Sequence, residues 1–388
     1  MILESIELSN FRNYGAARAE FSPGANVISG RNAQGKTNLL EAVCLLARGR
    51  SHRGARDRDM IRFGEDSARV EARGSAFGRE MVIEARLRRA GRRETRRNGV
   101  KLSRPGELGG VISAVMFEPE DLELVRGGAA ERRAELDACI SQLRPGYASA
   151  LASFNRLYAG KLKILRAGRE KPSLLGALDD YNHGLCRYGA KLIFYRASFV
   201  RKLAGRAAEV HRECSGGEET LELIYRTERG AETDGRGSAP EEIRAVAAAL
   251  EARQKERREH EIVSGTCLTG AQRDDVEILI DKIPARAFAS QGQARTAALA
   301  VKLAERELMA EELGEAPVLL LDDVLSELDE TRREFVLRKI RGGQSLITCC
   351  EPGEIPFPEG GGALRVENGA VTRRGPRIGG AREAGECT

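Results

Sequence analysis

The chain has 388 residues, of which 31% are charged and 41% are hydrophobic, and its net charge at pH 7 is +5. That length predicts two or three domains with ample buried core, and the composition excludes a wholly disordered or collagen-like chain. No apolar run approaches the roughly 18 residues that a membrane span needs. The first residues lack the basic flank and apolar core of a secretory signal, so we expect a cytoplasmic protein.

Cysteine usage and charge distribution further limit the class of protein to which the chain can belong. The eight cysteines are scattered without a CxxC pair, and there are only 4 histidines, so we expect free thiols in a reducing compartment and no metal cluster. Residues 1–110 hold 22 Lys or Arg against 13 Asp or Glu, a net charge of +9, which leaves −4 for the remainder. The amino-terminal part is therefore the candidate surface for a polyanion.

The first third of the chain predicts strands with one helix among them. Residues 2–8 and 25–29 are predicted strands, and the second leads through a glycine-containing loop into an apolar-periodic stretch that predicts a helix. Residues 68–102 predict an antiparallel meander, in which Asn98-Gly99 is the dipeptide that a tight hairpin turn prefers.

The middle of the chain is predicted to be helical. One apolar seam recurs in steps of three and four at Leu185, Tyr188, Leu192, Tyr195 and Phe199. This spacing predicts a helix, with a short coiled coil as one way to bury the seam. A second helix is predicted over residues 240–263, after a polar loop at 227–240.

Strand-like runs return at residues 276–280, 317–323 and 345–350. We therefore predict an α/β head interrupted by a helical arm lobe, and we expect a disordered tail because the last residues are rich in Gly and Arg. The predicted parts are the head at 1–120 and 263–370, the arm lobe at 121–262 and the tail at 371–388.

A phosphate-binding pattern follows the second predicted strand. It is a P-loop of the form G-x4-GK[ST], formed by Gly30, Arg31, Asn32, Ala33, Gln34, Gly35, Lys36 and Thr37. Its glycines let backbone N–H groups face a phosphate chain at a helix N-terminus. Lys36 would act as the cation at the β- and γ-phosphates of ATP, and the Thr37 hydroxyl would hold Mg²⁺. The alternative is an ordinary glycine turn, which the flanking strand and helix disfavour.

A P-loop needs a distal acid, and residues 318–323 supply one at the end of an apolar strand. In this Walker B pattern Asp322 would face the magnesium, and Asp323 would be the catalytic carboxylate that orients or deprotonates water. The alternative is that the two acids only begin an exposed turn. The presence of a P-loop in the same chain disfavours this alternative.

Two further segments point to ABC-type ATPases. Ser290, Gly292 and Gln293 belong to an SQGQ segment before a predicted helix, and SELD at 326–329 follows Walker B directly. The order P-loop, long insertion, SxGQ, Walker B and SxLD is that of the ABC class, in which the serine contacts the γ-phosphate bound to a partner head. In isolation the same segment would be a plain helix cap.

The chain resembles the RecF family of SMC-like ABC ATPases over nearly its whole length. The segments that carry the resemblance are FRNY (11–14), GRNAQGKTNLLEA (30–42), SHR (51–53), MFEPEDLELVRG (116–127), RRAELD (132–137), RDD (273–275), SQGQ-RT (290–296) and LLLDDVLSELD (319–329). The resemblance implies a two-lobed head with a short helical arm, a homodimer that forms on DNA in an ATP-dependent way, and slow hydrolysis. It also implies DNA binding at single-strand to double-strand junctions, with RecO and RecR as partners in RecA loading.

Four residues, at three places in the chain, depart from the family pattern. Gln272 replaces a usual histidine before RDD, Ala294 replaces a common glutamine, and Cys349-Cys350 replace hydroxyl residues after the last core strand. The last position is where an ABC switch residue would contact the γ-phosphate. The residue with that role stays open, with Thr348 as one candidate.

Two basic segments could contact DNA. Residues 86–101 would form a strip for phosphates if their arginines share one sheet face, and the alternative is a solvated charged face. His52 and Arg53 lie in a loop after the P-loop helix, where contact with nucleotide or DNA competes with simple surface charge.

Other classes of P-loop protein fit less well. A membrane-transporter nucleotide-binding subunit would usually be shorter, carry LSGGQ and lack the helical insertion. A small-molecule kinase would leave the SxGQ and SxLD segments without a task.

Overall fold

The structure is a computed structural model that describes residues 1–103, 105–108, 111–168, 170–351 and 361–374. Within these ranges the strands form three sheets, two of six strands and one of three. None of the helices in these ranges has the length and hydropathy that crossing a membrane requires.

A mostly parallel sheet forms the centre of the head. Its strands, in spatial order, are β15 (Ala370–Arg374), β14 (Gly362–Glu367), β3 (Ala25–Ser29), β13 (Ser345–Cys349), β12 (Val318–Leu321) and β8 (Ala114–Phe117). All pairs are parallel except β14 with β15. The inner strands are apolar because both faces of the sheet are covered: Leu320 packs in one hydrophobic cluster, whereas Leu319 and Leu321 pack in another on the opposite face.

The hydrophobic cluster that contains Leu320 lies between the parallel sheet and an antiparallel sheet. The antiparallel sheet has the order β2 (Tyr14–Glu20), β1 (Ile2–Phe11), β4 (Ser67–Ala76), β5 (Arg79–Arg88), β6 (Glu94–Arg97) and β7 (Val100–Lys101). Helix α1 (Lys36–Arg48) contributes its apolar residues to the same cluster. The predicted meander is confirmed, and Asn98 and Gly99 have φ of 48° and 80°, as a tight hairpin turn with a left-handed backbone requires.

The hydrophobic cluster that contains Leu319 and Leu321 packs the arm lobe against the other face of the parallel sheet. The helices of the arm lobe are α2 (Leu122–Arg126), α3 (Ala129–Leu143), α4 (Pro145–Ala167), α5 (Leu178–Cys214) and α6 (Ala239–Ser264). Beyond it come α7 (Ala285–Phe288), α8 (Gln291–Leu313) and α9 (Glu330–Lys339). The predicted seam lies on α5 and the second predicted helix is α6, so both helix predictions are confirmed.

The arm lobe also contains a strand that the sequence analysis missed. β9 (Leu221–Arg226) pairs with β10 (Asp275–Ile280), which pairs in turn with β11 (Ile283–Pro284). The strand predicted at 276–280 therefore joins β9 rather than the parallel sheet of the head. Val276, Ile278 and Ile280 alternate toward the hydrophobic cluster that the arm lobe shares with the head, so β10 buries one face there.

Buried ion pairs connect the arm lobe to the head segment after it. Arg132 donates to both carboxylate oxygens of Asp275, at 2.7 and 3.0 Å. Arg196, with 3% of its surface exposed, binds Asp137 through two nitrogens and Asp274 at 3.0 Å. The RRAELD and RDD segments thus contact each other, directly or through Arg196, and their charged residues hold the parts of the chain together.

A second charged cluster connects α1, α3 and α8. Glu135 on α3 accepts two hydrogen bonds of 3.1 Å from Arg48 at the end of α1, and it also accepts one from Lys302 on α8. Lys302 is 1% exposed. Burial by itself raises the pKa of Glu135, but the charges of Arg48 and Lys302 outweigh it and hold that pKa below its ordinary value.

The prediction of a disordered tail from residue 371 is wrong for its first four residues. β15 extends to Arg374, because its backbone pairs with β14 from Ala363 to Glu367. Residues 375–388, the rest of that predicted tail, lie outside the described residues.

Replacing Glu135 by Gln should lower the free energy of unfolding by about 3–5 kcal/mol, because two buried cations lose their shared carboxylate. Urea denaturation measures this. Glu131→Gln, an exposed change on the same helix, should stay within about 0.5 kcal/mol of the parent. Equal stability of the two variants would show that Glu135 is not needed to neutralise Arg48 and Lys302.

Candidate nucleotide site

The carboxyl ends of four parallel strands meet at one edge of the central sheet. The P-loop follows β3, Asp322 follows β12, Cys350 follows β13 and Glu118 follows β8. Ligands of open α/β sheets bind at such an edge, because loops and helix N-termini converge there. The predicted P-loop and Walker B residues therefore come together although about 285 positions separate them in the chain.

The P-loop backbone is shaped by residues with positive φ. Gly35 has a φ of 118° and directly precedes α1, and Ala33 has a φ of 65°. A side chain at Gly35 would also meet Asn13 and Tyr14 at 2.7–2.9 Å. Glycine is required there by both conformation and space. The first turn of α1 has no side-chain cap, so its N–H groups are available to an anion.

The Lys36 side chain has a fixed position at the end of the P-loop. Its amine donates to the carbonyl oxygen of Gly30 at 2.8 Å and lies 3.7 Å from a carboxylate oxygen of Asp323. The residue is 4% exposed, so its position is set by the surrounding protein. An ammonium in this place can neutralise a phosphate chain on the loop.

Thr37 and Asp322 form a pair of oxygen donors that suits Mg²⁺. The Thr37 hydroxyl donates to Asp322 at 3.1 Å, and Asp322 also accepts a 2.7 Å hydrogen bond from the Thr348 hydroxyl. Burial raises the pKa of Asp322, and the hydrogen bonds from Thr348 and Thr37 work against that rise. A hydroxyl and a carboxylate oxygen are ligands that Mg²⁺ accepts, so the donor set fits this ion.

The Thr348 hydroxyl bonds to the Walker B residues, so it is not free to contact a γ-phosphate. Besides its bond to Asp322, its hydroxyl accepts a 2.8 Å hydrogen bond from the backbone N–H of Asp323, and the residue is 1% exposed. Cys350 is exposed, and its sulfur lies 3.1 Å from Asn32 Oδ1 and 3.8 Å from Lys36 Nζ. Of these two residues, Cys350 is therefore the one that faces the loop.

Asp323 lies at a kink after β12. Its φ of 52° is in the left-handed region, where Asp is tolerated better than most residues. Its carboxylate is one-third exposed and approaches Lys36, so it is accessible to a water molecule next to a bound phosphate. The left-handed conformation at Asp323 turns the chain out of the direction of β12.

The FRNY segment (11–14) contacts the P-loop and α1, a role that its sequence alone does not indicate. The Tyr14 hydroxyl donates to the carbonyl oxygen of Gly35 at 2.8 Å, and Asn13 donates to that of Gln34 at 2.8 Å. Arg12 makes two hydrogen bonds to Glu41 on α1, at 2.6 and 2.7 Å. The turn between β1 and β2 therefore supports the P-loop and α1 from outside the central sheet.

An open cavity of about 310 Å³ lies on the outer side of the P-loop. Arg31, Gln34 and Cys350 line it together with residues of the β14–β15 hairpin. The hairpin also binds the loop directly, because the backbone N–H of Asn368 donates to the Gln34 side chain at 2.6 Å.

His52 is not the surface charge that the sequence analysis considered. Its side chain is 2% exposed and lies 3.3 Å from Glu118, and burial lowers its pKa to about 4. Burial and neighbouring acids raise the pKa of Glu118 to about 7. His52 is therefore neutral at pH 7 and packs inside the head, whereas Arg53 beside it is exposed.

Ser290, Gly292 and Gln293 lie apart from the P-loop of their own chain. Ser290 is the N-cap of α8, and its hydroxyl accepts a hydrogen bond from the N–H of Gln293 at 3.2 Å. Ser290 and Gly292 are exposed. In the part of the chain that the structure describes, no hydrogen bond joins residues 290–293 to residues 30–37. The segment is thus a helix cap that is open to a ligand from outside.

The basic strip 86–101 is partly neutralised. Three of its arginines have acidic partners: Arg86 with Glu84, Arg93 with Asp57 and Arg96 with Glu94. Arg92 and Arg97 are exposed, and no ion pair within the described ranges includes them. The paired arginines favour a solvated face. Arg88, Arg92 and Arg97 remain as exposed arginines with no acidic partner among the described residues, whereas Arg89 donates to the backbone oxygens of Glu65 and Arg62.

Comparisons with known proteins agree with this architecture. The RecF/RecN/SMC N terminal domain family matches residues 2–353. The chain is 40% identical over 377 residues to the DNA replication and repair protein RecF of Symbiobacterium thermophilum, a match that covers 96% of this chain and 98% of that protein. It belongs to the RecF family.

Solved RecF-family structures are also similar. The recombination mediator protein RecF-ATPrS in the RecFOR pathway superposes with a TM-score of 0.87 at 35% identity, over 96% of this chain and 98% of the other. The RecF-ATP structure from the same pathway gives 0.85 at 34% identity, over 96% and 97%. The predicted ABC-type head with an inserted arm lobe is therefore confirmed.

Cys350 offers a direct probe of the site. Iodoacetamide should alkylate it readily, and saturating Mg-ATP should slow the reaction at least several-fold by covering the loop. Peptide mass spectrometry measures this at Cys350 separately from other thiols. Lys36→Ala should show no protection, and half-buried Cys214 is the internal control. Equal alkylation of Cys350 with and without nucleotide would contradict its placement beside the phosphates.

Proposed function

We propose that this protein is an ATP-dependent DNA-binding protein of replication and recombinational repair, in which ATP closes a homodimer and hydrolysis reopens it. The observation that carries the proposal is the separation of two half-sites. Lys36, Thr37 and Asp322 meet at one edge of the head, whereas Ser290 is exposed at the start of α8. A second copy is needed to bring a serine of this kind to a phosphate on the P-loop.

The residues of the first half-site suit Mg-ATP. Backbone N–H groups of the loop and the Lys36 ammonium would bind the phosphates, and Thr37 with Asp322 would hold Mg²⁺. The ion would neutralise charge on the phosphate oxygens during transfer. Asp323 would orient or deprotonate the attacking water, because its carboxylate is partly exposed next to Lys36.

The second half-site is a pre-formed anion site. Ser290 caps a helix of 23 residues, so its hydroxyl and the first N–H groups of α8 can face the γ-phosphate of a partner. The two half-sites would make hydrolysis slow unless the dimer closes. Because the chain belongs to the RecF family, we extend to it the pathway role of its relatives.

DNA is the proposed polyanion. Residues 1–110 have a net charge of +9, and a basic surface attracts the phosphate backbone without regard to sequence. We propose junctions of single-strand and double-strand DNA as the sites, with RecO and RecR as partners in RecA loading in the cytoplasm. The direct test is binding of purified protein to gapped DNA with ATP, with ADP and without nucleotide, at stated salt. Affinity that is independent of the nucleotide would contradict the ATP switch.

Asp323→Asn should keep Mg-ATP bound but lower the rate of hydrolysis by about 100-fold or more, because the carboxylate that handles the water is removed. The ATP-bound dimer should then persist. Phosphate release and equilibrium nucleotide binding are measured together. Lys36→Ala should instead lose ATP binding, and Glu330→Gln, an exposed neighbour, should match the parent. Normal turnover by Asp323→Asn would move the catalytic role to another residue.

Ser290→Arg should bind ATP as a monomer but fail to dimerise, because a bulky cation fills the space for the partner's phosphate. Light scattering with and without ATP measures this. A mixture with Lys36→Ala should recover part of the ATPase activity, since one composite site then has an intact P-loop and an intact serine. Dimerisation of Ser290→Arg like that of the parent would contradict action between two copies.

Replacing Arg92 and Arg97 by Gln should weaken DNA binding and lower the slope of log affinity against log salt by about one for each DNA phosphate that the variant no longer neutralises. ATP binding should not change. A double variant of Asp57→Asn and Arg93→Gln removes one ion pair of the strip at constant net charge and should stay within about twofold of the parent. If the salt slope of the Arg92 and Arg97 variant were unchanged, the strip 86–101 would be a solvated charged face that does not bind DNA.

A further inference from the structure

Gln293 is held at both ends of its side-chain amide. Its Oε1 accepts a 2.9 Å hydrogen bond from the N–H of Ser290, and its Nε2 donates to Glu219 Oε1 at 2.9 Å. Its own backbone N–H donates to the Ser290 hydroxyl. Gln293 thus links the exposed serine of the second half-site to a carboxylate from another part of the chain.

Glu219 comes from the arm lobe. It lies in the segment between α5 and β9, after a turn in which Gly216 and Gly217 have φ of 68° and 85°. Its second carboxylate oxygen lies 3.3 Å from Nε2 of His211, a fully buried residue of α5. The Glu219 carboxylate therefore contacts both α5, through His211, and Gln293.

The backbone next to Glu219 is also anchored. The N–H and hydroxyl of Thr220 donate to Asp281 at 2.8 and 3.0 Å, and Thr220 accepts the N–H of Asp281. Asp281 lies between β10 and β11. The carboxylate of Glu219 thus extends from a segment with defined contacts on either side, although its side chain is 22% exposed.

The chemistry of the amide makes this contact directional. A glutamine side chain has one accepting end and one donating end, whereas an ionised carboxylate only accepts. Glu219 therefore selects the rotamer in which Nε2 faces the arm lobe and Oε1 faces Ser290. Without it, the amide can turn to water and the cap on the first turn of α8 loses one of its two hydrogen bonds.

We propose that Glu219 is a positioning residue for Ser290, which acts through Gln293 and makes the second half-site depend on the arm lobe. This inference rests on the proposed ATP-dependent dimer. A shift of the segment between α5 and β9 would release Gln293 and disorder the serine that the partner's γ-phosphate meets. Closure of the dimer is thereby coupled to the state of the arm lobe.

The test compares dimerisation with monomeric ATP binding. Glu219→Ala should weaken ATP-dependent dimerisation about tenfold, since it removes the hydrogen bond to a charged group that orients Gln293 beneath Ser290. Its ATP affinity as a monomer should stay within about twofold of the parent. Glu219→Gln should dimerise nearly as the parent does, because its carbonyl can still accept from Gln293. Glu218→Ala, at an exposed neighbouring position, is the matched control and should have no effect.

A double-mutant cycle separates this route from a general loss of packing. In a Gln293→Ala background, Glu219→Ala should cause no further loss of dimerisation, because its path to Ser290 is already cut. An equal additional loss in that background would overturn the inference. So would dimerisation of Glu219→Ala like that of the parent.

Exchange of donor and acceptor tests the same contact if Glu219→Ala fails to fold. Gln293→Glu places two carboxylates face to face and should weaken dimerisation, and adding Glu219→Gln should restore it by reversing the hydrogen bond. Absence of rescue would overturn the inference. If the parent itself does not dimerise on ATP, the proposed function fails and this inference fails with it, whereas a parent that dimerises leaves only the role of Glu219 at stake.

Discussion

The ion pairs of Glu135 are the interaction on which the arrangement of the head depends. Its carboxylate binds both Arg48 at the end of the P-loop helix and Lys302 in the middle of the helix that Ser290 caps, and Asp121 and Glu305 lie 3.5 Å from the same lysine. Isolated cations so deeply buried would be very costly, so α1, α3 and α8 are stable only when they are packed together. Both half-sites of the proposed ATP switch are therefore built on helices that share one electrostatic centre, and the arm lobe supplies its acid.

The same principle explains the family segments that have no evident role in binding a nucleotide. Arg132 meets Asp275, and Arg196 meets Asp137 and Asp274, so RRAELD and RDD are two sides of one buried junction. FRNY supports the P-loop in a comparable way through Tyr14. These segments position the chemistry without touching it, and they place the phosphate loop, the Walker B acids and the capped helix within a single framework.

Much of the site follows from local sequence, because a P-loop and a Walker B strand carry their functional residues within a few positions. The spacing of Gly30 to Thr37 and the apolar run before Asp322 predicted both elements. The sequence did not reveal the hydroxyl of Thr348 turned toward Asp322, or the burial of His52 against Glu118. Each of these depends on which side chains from distant segments meet at the sheet edge, and neither leaves a periodic signal.

Local sequence was enough to specify the class of fold, the order of its parts and the residues of the phosphate loop, because hydrophobic periodicity and glycine placement act over short stretches of chain. It was not enough to specify that β10 pairs with β9, that Arg86 and Arg96 have acidic partners, or that Glu219 reaches Gln293. The physical reason is that pairing of strands and charges is chosen by the packing of the whole chain. A carboxylate after a glycine turn is an ordinary surface residue until the fold brings an amide to within 2.9 Å of it.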